Sequence, residues 1–222
     1  MNLKKCLASL ALVVSFCISN NVYSKTSLES ILKNQNLSNS DVISVKKIVD
    51  TNPKESIRKF LDILKDEDYP DRSRWLSLLL IGKTMGKKSV PMMIKYLGHP
   101  HWILRSAALK SLKSLKVTHP TSEIKKLLSD NSYVIREQAL DMIQTLKIAS
   151  LKNDVLQMLG DKTNYIKTKK GIVASEVIKK AIITLVALKS KESIPLLNKL
   201  KETDAGKNIS PQISDAIKKI SI

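Results

Sequence analysis

From about residue 71 to residue 160 the apolar positions alternate between two arrangements. In the first, Ala108, Leu109 and Leu112, and again Ala139, Leu140 and Ile143, fall at spacings that line one face of a helix. In the second, Ile124, Leu127 and Leu128 form a narrow apolar stripe with Glu123, Lys125 and Lys126 on the other side. Neither helix could bury its stripe alone. The pattern therefore predicts stacked helix pairs, with small alanines where a neighbouring helix comes close. Turn signals at Gly86, Pro91, Pro100, Pro120, Gly160 and Pro195 separate the runs.

The alternation repeats every 31 residues. Arg74, Arg105 and Arg136 share one column, and Asp68, His99, Asp130 and Asp161 precede them in another. Met93, Ile124 and Val155 keep the same step, followed by Tyr96, Leu127 and Met158, and then by Leu97, Leu128 and Leu159. After Asp161 the register slips: the next first helix aligns only through Ile178 to Ile182, 42 residues after the Ala139 segment, so about eleven residues are inserted. Ile178 stands where the arginine would be, and Ile213 to Ile217 repeats that variant behind a Ser210-Pro211 helix start. Upstream, Ser27 to Lys33, Ser40 to Val49 and Pro53 to Leu64 read as three helices in which the repeat is degenerate, as terminal caps tend to be.

The pattern Asp-x-x-x-x-(Val/Ile/Leu)-Arg-x-x-Ala-Leu-x-x-(Leu/Ile), followed by a second helix entered through Val90-Pro91 or Ile194-Pro195 and ending in a leucine pair, resembles the HEAT repeat, particularly the short HEAT-like units of phycobilisome lyases. The resemblance spans about residues 66 to 202 and is best at 97 to 160. It implies an all-α fold, an α-solenoid of stacked antiparallel helix pairs. It also implies that Asp130 caps a first helix and that the arginine column bonds to neighbouring loops or acids. His99 replaces the acid in one unit and Ser77 the alanine in another, so those units are expected to pack less regularly. The expected organisation is a signal peptide at 1–24, an N-terminal helical cap or degenerate repeat at 25–65, HEAT-like repeats at 66–202 with an insertion near 162–173, and a capping helix at 203–222. The array should be almost wholly helical.

Length and composition fit this picture. In 222 residues, 43% hydrophobic content supports a core while only 4% aromatics favours aliphatic helix packing, and six glycines leave little for hairpin turns. The formal charge of +18 predicts an acidic partner: nucleic acid, anionic lipid, or an acidic polymer or protein. Lys4 and Lys5, the apolar run from Cys6 to Ser19, and Val22-Tyr23-Ser24 form a secretory signal with cleavage expected before Lys25. The run is too short for a permanent span, which takes roughly 20 residues, and no transmembrane span is expected after its removal. Both cysteines, Cys6 and Cys17, fall within it, so the remainder has neither disulfide nor thiolate chemistry. Removing 1–24 takes two lysines and no acid, so the basicity belongs to the rest of the chain.

Candidate chemistry is sparse. His99, His101 and His119 sit on turns without a helical His-x-x-x-His or a nearby carboxylate pair, so no metal site is expected. No phosphate loop, nucleophile elbow or other cofactor-binding motif is present, and no cofactor or catalytic residue is assigned. Glu55, Asp62, Asp66, Glu67, Asp68 and Asp71 straddle a helix end and a turn, where Asp caps helices. Trp75 and Trp102 are expected to pack in the core or between repeats, and the arginines to serve the internal hydrogen bonding of the fold. A groove built for nucleic acid would carry basic residues in one register of the second helices. Instead Met92, Glu123 and Asp154 share one column, and Lys95, Lys126 and Gln157 another. The densest basic patch is in the insertion and the helix behind it: Lys162, Lys167, Lys169, Lys170, Lys179 and Lys180 around Tyr165, against Asp161 and Glu176.

These features point to a non-enzymatic HEAT-type scaffold, exported across a bacterial inner membrane to the periplasm or beyond, that binds a protein or an anionic envelope component. A nucleic-acid-binding protein of the DNA glycosylase type is the alternative that charge favours and the signal peptide and mixed groove oppose. A phycobilisome-type lyase rests on resemblance alone. The partner's identity and the oligomeric state are not encoded in any motif.

Overall fold

The computed structural model describes residues 27–169 and 171–222, so the segment 1–24 expected to be a signal peptide and Lys170 lie outside the described residues. Helices α1 (Leu28–Leu32), α2 (Asn39–Thr51) and α3 (Pro53–Lys65) open the chain. Three pairs follow: α4 (Asp71–Met85) with α5 (Val90–Tyr96), α6 (Trp102–Ser114) with α7 (Thr121–Leu127), and α8 (Tyr133–Leu146) with α9 (Lys152–Met158). Strands β1 (Tyr165–Thr168) and β2 (Gly171–Ala174) then precede α10 (Glu176–Ala187), α11 (Ile194–Lys201), the single turn α12 (Asp204–Lys207) and the last helix α13 (Ser210–Ser221). The fold is an all-α solenoid with one departure. The expectation of an almost wholly helical array is corrected by the antiparallel hairpin, which occupies the insertion.

First helices stack on first helices, α4 on α6, α6 on α8 and α8 on α10, while α13 closes against α10 and α11. The repeat columns are the core of this stack. Met93, Ile124 and Val155 are fully buried, as are Ala108, Ala139 and Ala181, where a methyl group is all the space between helices admits. Ser77 takes the alanine's place at 0% exposure, its hydroxyl without a hydrogen-bond partner among the described residues. A serine is close enough to alanine in size to fit, at the cost of an unpaired buried hydroxyl.

The polar columns knit successive repeats. The Asp130 carboxylate accepts the Ser132 backbone N–H at 2.8 Å and meets Arg105 of the preceding unit at 2.7 Å. Arg105 also donates to the His99 and Pro100 carbonyls, at 2.7 and 2.8 Å, and Arg136 donates to the Asp130 carbonyl at 2.6 Å. His99 does the aspartate's work with a nitrogen: its Nδ1 accepts the His101 N–H at 3.0 Å. Asp161 makes the same turn with Thr163 N–H at 2.9 Å. In the earliest unit the column slips by two, because Asp66, not Asp68, accepts the equivalent bond, from the Asp68 N–H at 2.9 Å. Arg74 is buried and lies 3.9 Å from Asp71. The arginines are therefore internal fasteners and unavailable to trace a polyanion.

First helices end by a device the apolar pattern does not reveal. Lys116, Lys147 and Lys189 adopt left-handed backbone with φ of 55°, 51° and 50°. The next residue donates back into the helix each time: Val117 to Leu112, Ile148 to Ile143 and Ser190 to Leu185, all at 3.0 Å. This closure caps orphan helix carbonyls and turns the chain into the second helix.

Candidate functional site

The inserted segment is held to the array at its base and along β2, and carries exposed side chains farther out. Asn164 is buried and donates from Nδ2 to the Met158 carbonyl at 3.2 Å, while the Tyr165 hydroxyl donates to the Leu159 carbonyl at 2.5 Å. Burial raises the Tyr165 phenol above its ordinary pKa, so it remains a donor. On the return strand, Ala174 is buried, β2 packs on α12, and Ser175 Oγ donates to the Asn164 carbonyl at 2.5 Å. The pairing runs Tyr165 with Ala174, Ile166 with Val173, Lys167 with Ile172 and Thr168 with Gly171. Gly171 has φ of 124°, a backbone that side chains rarely adopt, which explains why a glycine opens β2.

Because neighbours on a strand point to opposite faces, this register puts Ile172 and Lys167 on one face and Ile166 on the other. Ile166 is 52% exposed and Ile172 51%. Lys167 and Lys169 on the hairpin and Lys162 on its approach are exposed.

The sequence patch thus divides. Lys162, Tyr165, Lys167 and Lys169 belong to the hairpin and its approach, Lys170 lies outside the described residues, and Lys179 and Lys180 belong elsewhere. On α10, Lys179 meets Glu176 at 2.7 Å and Lys180 meets Asp141 at 3.1 Å. Asp141 is shared with Lys113 of α6, so one carboxylate on α8 ties three consecutive first helices. Burial raises the Asp141 pKa, but hydrogen bonds from Lys113 and Lys180 more than reverse this, and the net shift is downward. Glu137, one turn away on α8, is pushed up by burial and by Glu176. These two lysines are structural members of a charged strip. Removing them leaves a smaller patch with a stronger apolar component, which charge counting along the sequence missed because it weighed only the lysines.

Other candidate residues fall into structural roles. The recess between α5 and α7, about 590 Å³, is lined by Lys95, Arg105, Glu123 and Lys126. Across the next interval Lys125 reaches Asp154 at 2.7 Å, so carboxylates alternate with lysines along the second helices. Members of the acidic stretch near Tyr69 have structural contacts, with Glu55 on Lys59 at 3.2 Å and Asp71 3.4 Å from His101 of the next repeat. No group of three metal-ligating side chains converges among the described residues. No described helix is long and apolar enough to cross a membrane.

The tryptophans differ from each other. Trp75 packs partly buried against the core with the Lys110 ammonium 4.9 Å from its ring centroid. Trp102 is 41% exposed, which corrects the expectation that it packs in the core or between repeats. It is the first residue of α6, and Tyr133, first in α8, is exposed in the same register. A first position precedes the face that turns inward, so an aromatic there projects beyond the helix contact.

Compared with known families, residues 57–144 match the family described as HEAT repeats. No curated protein matches the chain.

Proposed function

We propose that this chain, an array of HEAT repeats, is an exported, non-enzymatic scaffold that holds a protein partner along its helical surface and an anionic component of the bacterial envelope at its hairpin. HEAT repeats generally serve protein interaction, and a repeat scaffold is the coarse role of the array. The single observation that carries the finer reading is the hairpin: an exposed, basic and apolar projection added to a solenoid whose repeat pattern closes without it. The N-terminal charge, apolar run and small residue at Ser24 support export, and the cysteine-free remainder suits an oxidising compartment.

The net charge favours a second reading, nucleic-acid binding. The column arginines Arg105 and Arg136 are engaged by carbonyls and a carboxylate, and the second-helix surface alternates in sign. Cell fractionation with N-terminal sequencing separates the two. Material beginning at Lys25 in periplasm or medium, recovering a protein partner from envelope extract, is the expected result. Full-length chain in the cytosol co-purifying with nucleic acid would overturn the proposal in favour of the second reading.

A further inference from the structure

Two surfaces other than the recesses carry unbalanced chemistry. One is the edge formed by the turns inside each repeat, where Lys87, Lys88, Lys116, Lys147 and Lys189 are exposed. Cations dominate it, with Glu192 paired to Lys152 at 2.8 Å, and none of the exposed large apolar side chains lies in these turns. The other is the hairpin, where apolar and cationic groups are interleaved and Ile166, one rung above the base, and Ile172, one rung below the turn, stand on opposite faces.

The two-sided exposure decides what fits. A protein docking against one face would bury one isoleucine and leave the other as exposed as before. A partner strand added to the free edge of β1 would meet a strand of only four residues carrying Lys167, features that discourage edge pairing. A medium that surrounds the tip buries both isoleucines together. The boundary layer of a bilayer is such a medium, and anionic phosphates there complement lysines that flank inserted apolar groups. Lysines outnumber the nearby acids: Asp161 keeps its charge beside Lys162 while bonded within its own turn, Glu176 meets Lys179, and Asp204 on the supporting turn meets Lys207 at 3.1 Å. We infer that the hairpin is a membrane wedge that seats Ile166 and Ile172 at the headgroup boundary of an anionic bilayer, with Lys162, Lys167 and Lys169 against lipid phosphates.

This inference rests on the proposed attachment to an anionic envelope component and names that component as the bilayer, but it holds whichever side of the membrane the chain occupies. The combination of apolar and basic groups matters because either signal alone gives marginal, reversible attachment. The rigid base formed by Asn164, Tyr165 and Ser175 keeps the tip from folding back on the array.

The test uses the purified protein with vesicles of phosphatidylglycerol and phosphatidylethanolamine, and with neutral phosphatidylcholine vesicles as control. Replacing Ile166→Trp places a reporter at the tip. Its emission, above that of Trp75 and Trp102, should be quenched by bromine on the acyl chains of the anionic vesicles only. The double variant Ile166→Ser, Ile172→Ser should bind anionic vesicles about tenfold more weakly. Lys167→Glu with Lys169→Glu should lose about tenfold or more at low salt, with the difference shrinking as salt rises. These positions are exposed, so the melting curves of the variants should match that of the parent. No binding to anionic vesicles, a bound chain whose tip emission is unquenched, or binding removed instead by Lys116→Glu, Lys147→Glu and Lys189→Glu would each overturn the wedge. Recovery of a protein partner and processing at Lys25 are separate measurements, so the scaffold can survive the failure of the wedge and the wedge the failure of export.

Discussion

Replacing the column aspartate with His99 keeps the turn but makes it sensitive to protons. Its Nδ1 must be unprotonated to accept the His101 N–H, and its ring stacks on Tyr96 with centroids 5.4 Å apart. Burial, followed by the charge of Arg74 on α4, holds its pKa below the ordinary imidazole value, with His101 and Arg105 adding in the same direction and the His101 bond opposing. The neutral form is thus favoured on folding. Stability from this site is complete above the unfolded pKa of about 6.5 and is lost as pH falls toward the lower folded value, because the unfolded chain takes up the proton first. His99→Asp restores the acceptor that Asp130 supplies in the next repeat. The parent's melting temperature is expected to fall more steeply than the variant's between about pH 7 and pH 5.5, since only the parent binds a proton there at position 99. Parallel thermal melts of the two proteins check this, and identical pH slopes would contradict it. His101 and its contact with Asp71 are present in both proteins, so the difference isolates His99.

At the scale of the element, apolar spacing reveals helices and says little about how they stop. Helix α8 runs from Tyr133 to Leu146 because Ile135, Ala139, Leu140 and Ile143 all face the core, and that periodicity is visible in the sequence. Its end depends on Lys147 at φ 51°, where a side chain is disfavoured and nothing in the residue type announces the conformation. Lys147→Gly removes that steric cost while keeping the Ile148 to Ile143 bond. The variant should gain about 0.5–1 kcal/mol, less whatever the more flexible unfolded glycine returns, read as a higher denaturant midpoint with an unchanged slope. The hairpin was illegible for a related reason. Tyr165 to Thr168 and Gly171 to Ala174 are four residues each, too short for alternation to outweigh a lysine-rich composition that reads as loop. The basic patch was recognisable from its lysines, but its division into free and paired members depends on Asp141 and Glu176, which approach only when α8 and α10 are stacked.

For the whole molecule, stability passes from neighbour to neighbour along the stack, so the ends matter more than their sequence suggests. Ile213, Ala216 and Ile220 of α13 are buried against α10 and α11, while Lys218 and Lys219 mark its polar side. Before α13, the turn α12 fits through Gly206, where a methyl group would overlap the Leu200 carbonyl. The Ser210-Pro211 start and the repeat variant at Ile213 to Ile217 marked a helix here in the sequence, whereas the need for Gly206 emerges only from the close approach of α11. Ending the chain after Ile209 would uncover the apolar faces that Ile213 and Ile220 now cover. Each fully buried isoleucine is worth roughly 1.5–3 kcal/mol, enough together to consume a large fraction of a domain's net stability. The truncated protein should melt at a lower temperature and self-associate through the exposed end, seen as a larger sedimentation coefficient at increasing concentration. Trimming the hairpin from Ile166 to Val173 to a short turn should leave the chain monomeric, because α13 still covers α10 and α11, and should lower the melting temperature by less, through the contacts that β2 makes with α12 and α10. A truncation that stayed monomeric with the parent's melting curve would mean that the array ends at α11 and that α13 is an accessory to it.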